Sequence, residues 1–272
     1  QVAFIVFDDG DTVSSPLAET GRLHSVGDSW QTVTLSNSYK SMVVIGTVNL
    51  PNDQKAPAVV RIRNAKSNSF ELKVQNPSNI SISGYPVHYL VVEEGAYNLA
   101  ENGVKMEAVR TTSNVTANKG NWVFEAHNYQ NNYNNPVVLG QVMSENDKNW
   151  SVFWASNGVR GNPPSNTSFS VGKHFGEGIN NSSVEETIGY VVLESGSGSL
   201  AGVNYVSGLG ADNVNGVDNS ADGFSYPLGG LNQPGTAILS SAGMDGGDGG
   251  WLVLLGNFPV NSNLLTFEID GD

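Results

Sequence analysis

The chain has 272 residues, a net charge of -13 and no cysteine. Its 13 lysines and arginines form no run, which excludes nucleic acid as a partner because phosphate binding needs clustered basic side chains. The missing cysteines exclude disulfides and thiolate metal sites, and no apolar run approaches the roughly 18–20 residues that insertion into a membrane requires. Polarity that comes mainly from Asn, Ser, Thr and Gly favours an extracellular or cell-surface protein, and the absence of cysteine favours a prokaryotic source.

The first predicted strand is a continuously apolar run at the amino terminus. It consists of Val2, Ala3, Phe4, Ile5, Val6 and Phe7. Acidic residues and a glycine follow it, and the same pattern recurs at residues 87–95 and 188–196. Short runs of this kind are typical of strands that are buried on both faces.

Further landmarks recur in the same order along the chain. Residues 137–157 align without a gap on 237–257, and Phe70, Phe169 and Phe267 occupy matching positions. Repeats much longer than about 50 residues are read as small domains in tandem. We therefore predict three modules, at residues 1–86, 87–187 and 188–272.

The phase of the repeat is shifted relative to the chain ends. The apolar strand follows Phe70 and Phe169 at similar distances, whereas the sequence ends before such a strand can follow Phe267. We expect the third module to be open, and the amino-terminal strand to be able to complete it. The predicted acceptor lies beside the strand that contains Leu265, Phe267 and Ile269.

The fold class that these patterns predict is all-β. Strand signals alternate with turn sequences, and 32 glycines and 11 prolines argue against long helices. We expect three mutually similar antiparallel modules of β-sandwich or barrel-like form.

The strand endings Tyr-Leu-Val-Val-Glu-Glu-Gly95 and Tyr-Val-Val-Leu-Glu-Ser-Gly196 carry a resemblance. They resemble the tandem β-sandwich repeats of large secreted bacterial surface proteins, and they are similar to H-type lectin domains. The resemblance implies modules that trimerise and bind sugars. No sugar-binding residue of that family is carried over to a position in this chain.

Carboxylates suggest a structural calcium site, because calcium prefers oxygen ligands. The acidic residues that end the recurring strand, such as Asp8, Glu93 and Glu194, bind calcium or are solvated strand ends. Two Asp-rich loops supply the other candidate ligands. These are Asp212, Asp218, Asp222, Asp245 and Asp248.

Aromatic residues suggest a carbohydrate site. Trp150, beside Asn149, and Trp251 lie in equivalent predicted turns, where an indole ring can stack on a sugar or pack into the core. The four histidines lack metal-ligand spacing, and His88 is interpreted as a packed side chain. No catalytic motif is present, so we expect a protein that is not an enzyme.

The leading hypothesis is an extracellular structural protein, a subunit of a surface filament or matrix. Its partners would be copies of itself, joined head-to-tail when the first strand enters the third module of a neighbour. Closure of the third module within the same chain is the competing structural version. The alternative function is a lectin-like module that binds polysaccharide.

Overall fold

The computed structural model describes residues 1–8, 13–51, 56–82, 84–177, 184–216 and 223–271. These residues form β-strands and one short helix, α1 (Leu99–Asn102), which confirms the all-β class. The strands, in chain order, are β1 (Val2–Asp8), β2 (Ala18–Val26), β3 (Gln31–Tyr39), β4 (Met42–Leu50), β5 (Val59–Gln75), β6 (Tyr85–Glu93), β7 (Gly95–Tyr97), β8 (Met106–Ser113), β9 (Thr116–Ala117), β10 (Glu125–His127), β11 (Pro136–Val142), β12 (Val152–Ser156), β13 (Phe169–His174), β14 (Glu186–Glu194), β15 (Gly196–Leu200), β16 (Val203–Leu209), β17 (Phe224–Pro227), β18 (Pro234–Ala242), β19 (Trp251–Leu255) and β20 (Leu264–Asp270). Within this described part, no helix is long and apolar enough to cross a membrane.

The first strand group contains β2 to β6. Strand β6 lies between β4 and β2 and is antiparallel to both. The remaining two strands, β3 and β5, pair with each other. The rings of Phe70 in β5 and Tyr89 in β6 are 5.4 Å apart, so the two layers pack face to face.

The second strand group contains β7 to β14. Strand β14 lies between β11 and β8, and β7 extends this sheet at its edge. The opposite layer is formed by β10, β13 and β12. Phe169 and Tyr190 meet across the core with their ring centroids 5.5 Å apart.

The third strand group contains β15 to β20 together with β1. Strand β1 lies between β18 and β16, and β15 forms the edge. The opposite layer is formed by β17, β20 and β19. Phe4 of β1 reaches Tyr226 of β17 across the core, at 5.8 Å between centroids.

The three strand groups are joined through short parallel contacts. Strand β4 pairs with β19 through Asn49 and Leu254, and β18 pairs with β12 through Ser241 and Trp154. One hydrophobic cluster has members on β1, β4, β11 and β19, which places a shared core at the junction.

Strand pairing places the breaks between groups at different residues from the sequence prediction. The boundaries after residues 86 and 187 would cut β6 and β14, which both pair with strands that precede them. In the first two groups the apolar landmark, β6 or β14, is thus the last strand in chain order, and the strand pairing changes after Glu93 and Glu194.

Candidate functional site

Strand β1 is paired along both edges within its own chain. Ile5 lies opposite Ile238 of β18, and Val6 lies opposite Val206 of β16. The backbone groups of a strand in this position are satisfied by two ladders, so no edge is left for a further strand.

Both faces of β1 are buried, as the continuous apolar run predicts. Val2, Phe4 and Val6 belong to the cluster that contains Phe267, and the alternate residues face the junction core. Ala3, Ile5 and Phe7 are the three residues on that second face. None of the six side chains is more than 8% exposed.

The acceptor strand differs from the predicted one. Leu265, Phe267 and Ile269 lie on β20, whose ladder partners are β17 and β19. Phe267 belongs to the same cluster between the layers as Phe4 and Val6. The order of the landmarks predicts which strands recur, but it does not distinguish a neighbour along a ladder from a neighbour across the core.

A carboxylate anchors the end of the middle strand in each of the three groups. It accepts hydrogen bonds from two successive backbone N–H groups just ahead of the adjacent strand. The three sets are Asp8 with Asn232 and Gln233, Glu93 with Lys40 and Ser41, and Glu194 with Asn134 and Asn135. We call each set a carboxylate clamp. These acidic residues therefore bind backbone N–H groups, a role that differs both from calcium binding and from that of a solvated strand end.

Three hydrogen bonds, two of them buried and one partly buried, connect the strand groups in a closed ring. In each, a backbone N–H of one group donates to a side-chain oxygen of the next. The pairs are Leu239 N to Thr47 Oγ1 at 3.0 Å, Gly46 N to Gln141 Oε1 at 3.3 Å, and Gly140 N to Ser240 Oγ at 3.0 Å. The Gln141 amide also donates to the Val60 carbonyl at 3.1 Å. Buried polar groups of this kind stabilise the junction only while every partner is present.

The aromatic residues of the predicted sugar site lie in the core. Trp150 and Trp251 are 8% and 5% exposed, and their rings are 5.0 Å apart. The Trp251 indole donates to the Ala58 carbonyl at 2.8 Å. The rings pack against each other, so they present no face to a sugar, and the exposed Asn149 bonds Asp147 instead.

Three of the predicted calcium ligands line one cleft. Asp212, Asp245 and Asp248 border a space of about 470 Å³ between the loops that follow β16 and β18. Asp248 is paired with Lys119 at 2.7 Å. Asp218 and Asp222 lie outside the described residues.

No metal-binding geometry is present in the described ranges. They contain no group of three or more His, Asp or Glu side chains arranged to hold a metal ion. Calcium therefore stays a prediction from the sequence.

Asp270, at the end of β20, also borders this cleft. Its carboxylate accepts a hydrogen bond from the Ala58 N–H at 2.8 Å, which links the third strand group to the first. Burial raises the pKa of Asp270 to about 7. The sequence alone does not distinguish Asp270 from a surface aspartate, because burial of a carboxylate leaves no signal in composition.

His88 is a packed histidine, as the sequence suggested. Its Nδ1 atom accepts a hydrogen bond from Ala237 N at 3.1 Å, which requires the neutral ring. Burial, aided by the charge of Arg22, lowers the pKa of His88 to about 3. The ring therefore contributes a hydrogen-bond acceptor between the first and third strand groups.

The comparisons with known proteins give one distant similarity. Over 210 residues, the chain is 28% identical to halomucin of Haloquadratum walsbyi, a match that covers 74% of this chain and 2% of halomucin. No family model matches the chain, and no solved structure matches it. The chain thus spans a small fraction of the length of the protein it matches.

Proposed function

We propose that this protein is an extracellular structural unit of a surface filament or matrix. It is built from three similar modules, and the third is completed by the amino-terminal strand. The same strand can be exchanged between copies, which would link them head-to-tail. No catalytic step is part of this proposal.

The observation that carries the proposal is the shared position of β1, β6 and β14. Each is the middle strand of its sheet, between β18 and β16, between β4 and β2, and between β11 and β8, respectively. Each also ends in a carboxylate clamp. Two of these strands, β6 and β14, follow both of their sheet partners in the chain, whereas β1 comes from the opposite end of the described chain. This arrangement supports a permuted third module.

Exchange of β1 between copies would preserve the contacts that it makes within one chain. The six apolar side chains of Val2–Phe7 would contribute on the order of 8–15 kcal/mol gross before ordering costs. A donor at one end and an acceptor at the other form a heterologous contact, which generates linear assemblies unless the rotation happens to close. The groove of the third module is thus suited to a second copy of β1.

The extracellular location is supported by similarity and composition. Halomucin carries the name of a mucin, a class of extracellular protein, and it shares 28% identity with the matched part of this chain. The low charged fraction of 14% is consistent with a chain whose polarity comes from uncharged side chains. These two features favour a surface structure over an intracellular enzyme.

A circular permutant tests the assembly directly. In it, residues 2–8 are moved behind residue 271 through a flexible linker as long as the connections at 76–84 and 175–185. The permutant should retain the far-ultraviolet spectrum of the wild type and stay monomeric. The wild type should gain mass with concentration in light scattering and form linear particles in negative-stain images.

Two results would contradict the proposal. A wild-type protein that stays strictly monomeric at high concentration has no filament activity. Assembly that survives in the permutant, or after deletion of residues 1–9, does not depend on exchange of the amino-terminal strand.

A further inference from the structure

The register of β1 is not determined by its apolar pattern. Side chains on both faces of the strand are apolar and buried, so a slip by one residue exchanges one set of apolar residues for another. In a strand with one polar face, such a slip would bury polar groups and be rejected. The β1 groove therefore needs a second determinant of register.

The end of the ladder supplies such a determinant. Asp8 lies opposite Pro234, which has no N–H to donate, and the register shifts between Phe7 and Asp8. At this point the Asp8 carboxylate binds the backbone N–H groups of Asn232 and Gln233. In the second strand group, Glu194 likewise lies opposite a proline, Pro136, and binds the two preceding N–H groups.

A slip of the strand would break this contact. Moving β1 by two residues keeps each side chain on its own face, but it displaces Asp8 by roughly 6.6–6.8 Å along the strand. That distance exceeds the reach of a hydrogen bond from either N–H group. Only one register therefore satisfies both the core and the clamp.

We propose that Asp8 is the specificity-determining residue of the β1 groove, which selects the register of the strand and identifies a second copy of this strand as the correct occupant. The intermolecular part rests on the proposed function. Within a single chain the Asp8 clamp acts in the same way on the chain's own strand.

Hydrogen–deuterium exchange of the full chain tests the clamp in the monomer, at concentrations where no assembly forms. The amides of β1 should exchange about 10-fold to 30-fold faster in Asp8→Ala, from the loss of two charge-assisted hydrogen bonds. Asp8→Glu should restore protection, because Glu fills this role in the other two groups. Glu93→Ala is the matched control, and it should accelerate exchange in β6 while β1 keeps its protection.

Disulfide formation between introduced cysteines measures the register of β1 directly. A loss of stability alone would not change which pair of cysteines reacts. The chain has no native cysteine. Val6→Cys combined with Val206→Cys should form a disulfide in the native register, and Val6→Cys with Asn204→Cys should do so only after a two-residue slip. Asp8→Ala should lower the yield of the native disulfide and raise that of the slipped one.

The inference is overturned if Asp8→Ala leaves both β1 exchange and the disulfide yields at the wild-type level. It is also overturned if Asp8→Glu fails to restore them. If the Asp8 variants behave as expected but the protein never assembles, the filament hypothesis is refuted. The role of Asp8 in the register of β1 within one chain is then still supported.

Discussion

Asp270 holds its carboxyl group beside the Ala58 amide and is only 3% exposed. Because burial raises the pKa of this group to about 7 in the folded protein, the folded state favours the protonated carboxyl. An unfolded aspartate has a pKa of about 3.9. The stabilising contribution is therefore complete below the unfolded value and is lost as the pH rises through 7.

Asp270→Asn should remove this pH dependence. Between pH 5 and pH 8 the wild type should lose about 3 kcal/mol of unfolding free energy relative to the variant. Urea unfolding at several pH values measures the difference. A difference that stays constant with pH would contradict the assigned burial of this carboxyl group.

His88 should produce the opposite pH dependence. Its pKa is lowered to about 3 when folded, against about 6.5 when unfolded, so its contribution is complete above 6.5 and is lost as the pH falls. From pH 7 to pH 5 the wild type should lose about 2 kcal/mol relative to His88→Gln. Parallel unfolding curves at the two pH values would show instead that the ring is accessible to water.

Some residues of the junction could not be found from the sequence. The run Val59–Arg63 alternates between apolar and basic residues, which predicts a half-exposed strand, yet Arg61 is fully buried. Its guanidinium donates to the carbonyls of Asp147 and Asn149 from the second strand group. Such burial depends on contacts between segments that are distant in the sequence, and a local pattern of residues does not predict these contacts.

At the scale of elements, the apolar runs of the sequence predict which strands are buried. They do not predict which strands pair with each other. The continuous apolar pattern of β1 predicts burial on both faces, and the alternation at residues 31–35 matches the burial of Val33 and Leu35 beside exposed threonines. The pairing of β1 with β18 instead of β20 depends on how the layers close. That closure is a property of the tertiary fold, which no single strand specifies.

The turn that carries Trp150 is predicted to act through packing. Trp150 contacts Trp251 and Phe175, so Trp150→Ala should cost about 3–5 kcal/mol of unfolding free energy. Asn149→Ala, on the exposed side of the same turn, is the control and should cost less than about 1 kcal/mol. Chemical denaturation measures both. Unchanged stability in Trp150→Ala would contradict the core packing of the ring and would favour the sugar-binding hypothesis.

At the scale of the whole molecule, the ring of hydrogen bonds and the shared core join the three strand groups. Strand β1 contributes to this junction as well as to the third group, because Ala3, Ile5 and Phe7 face the junction cluster. The insertion of β1 therefore completes the third sheet and the junction core together. A copy whose β1 inserts into a neighbour would also supply these three side chains to the junction core of that neighbour.

Disulfide trapping with Val6→Cys and Val206→Cys tests the central claim most directly, because these residues face each other across β1 and β16. We expect rapid oxidation to a disulfide, within one chain in dilute protein and between chains in concentrated protein. Gel electrophoresis without reductant separates the two products. If neither disulfide forms while the variant remains folded, the amino-terminal strand does not occupy this groove and the account is wrong.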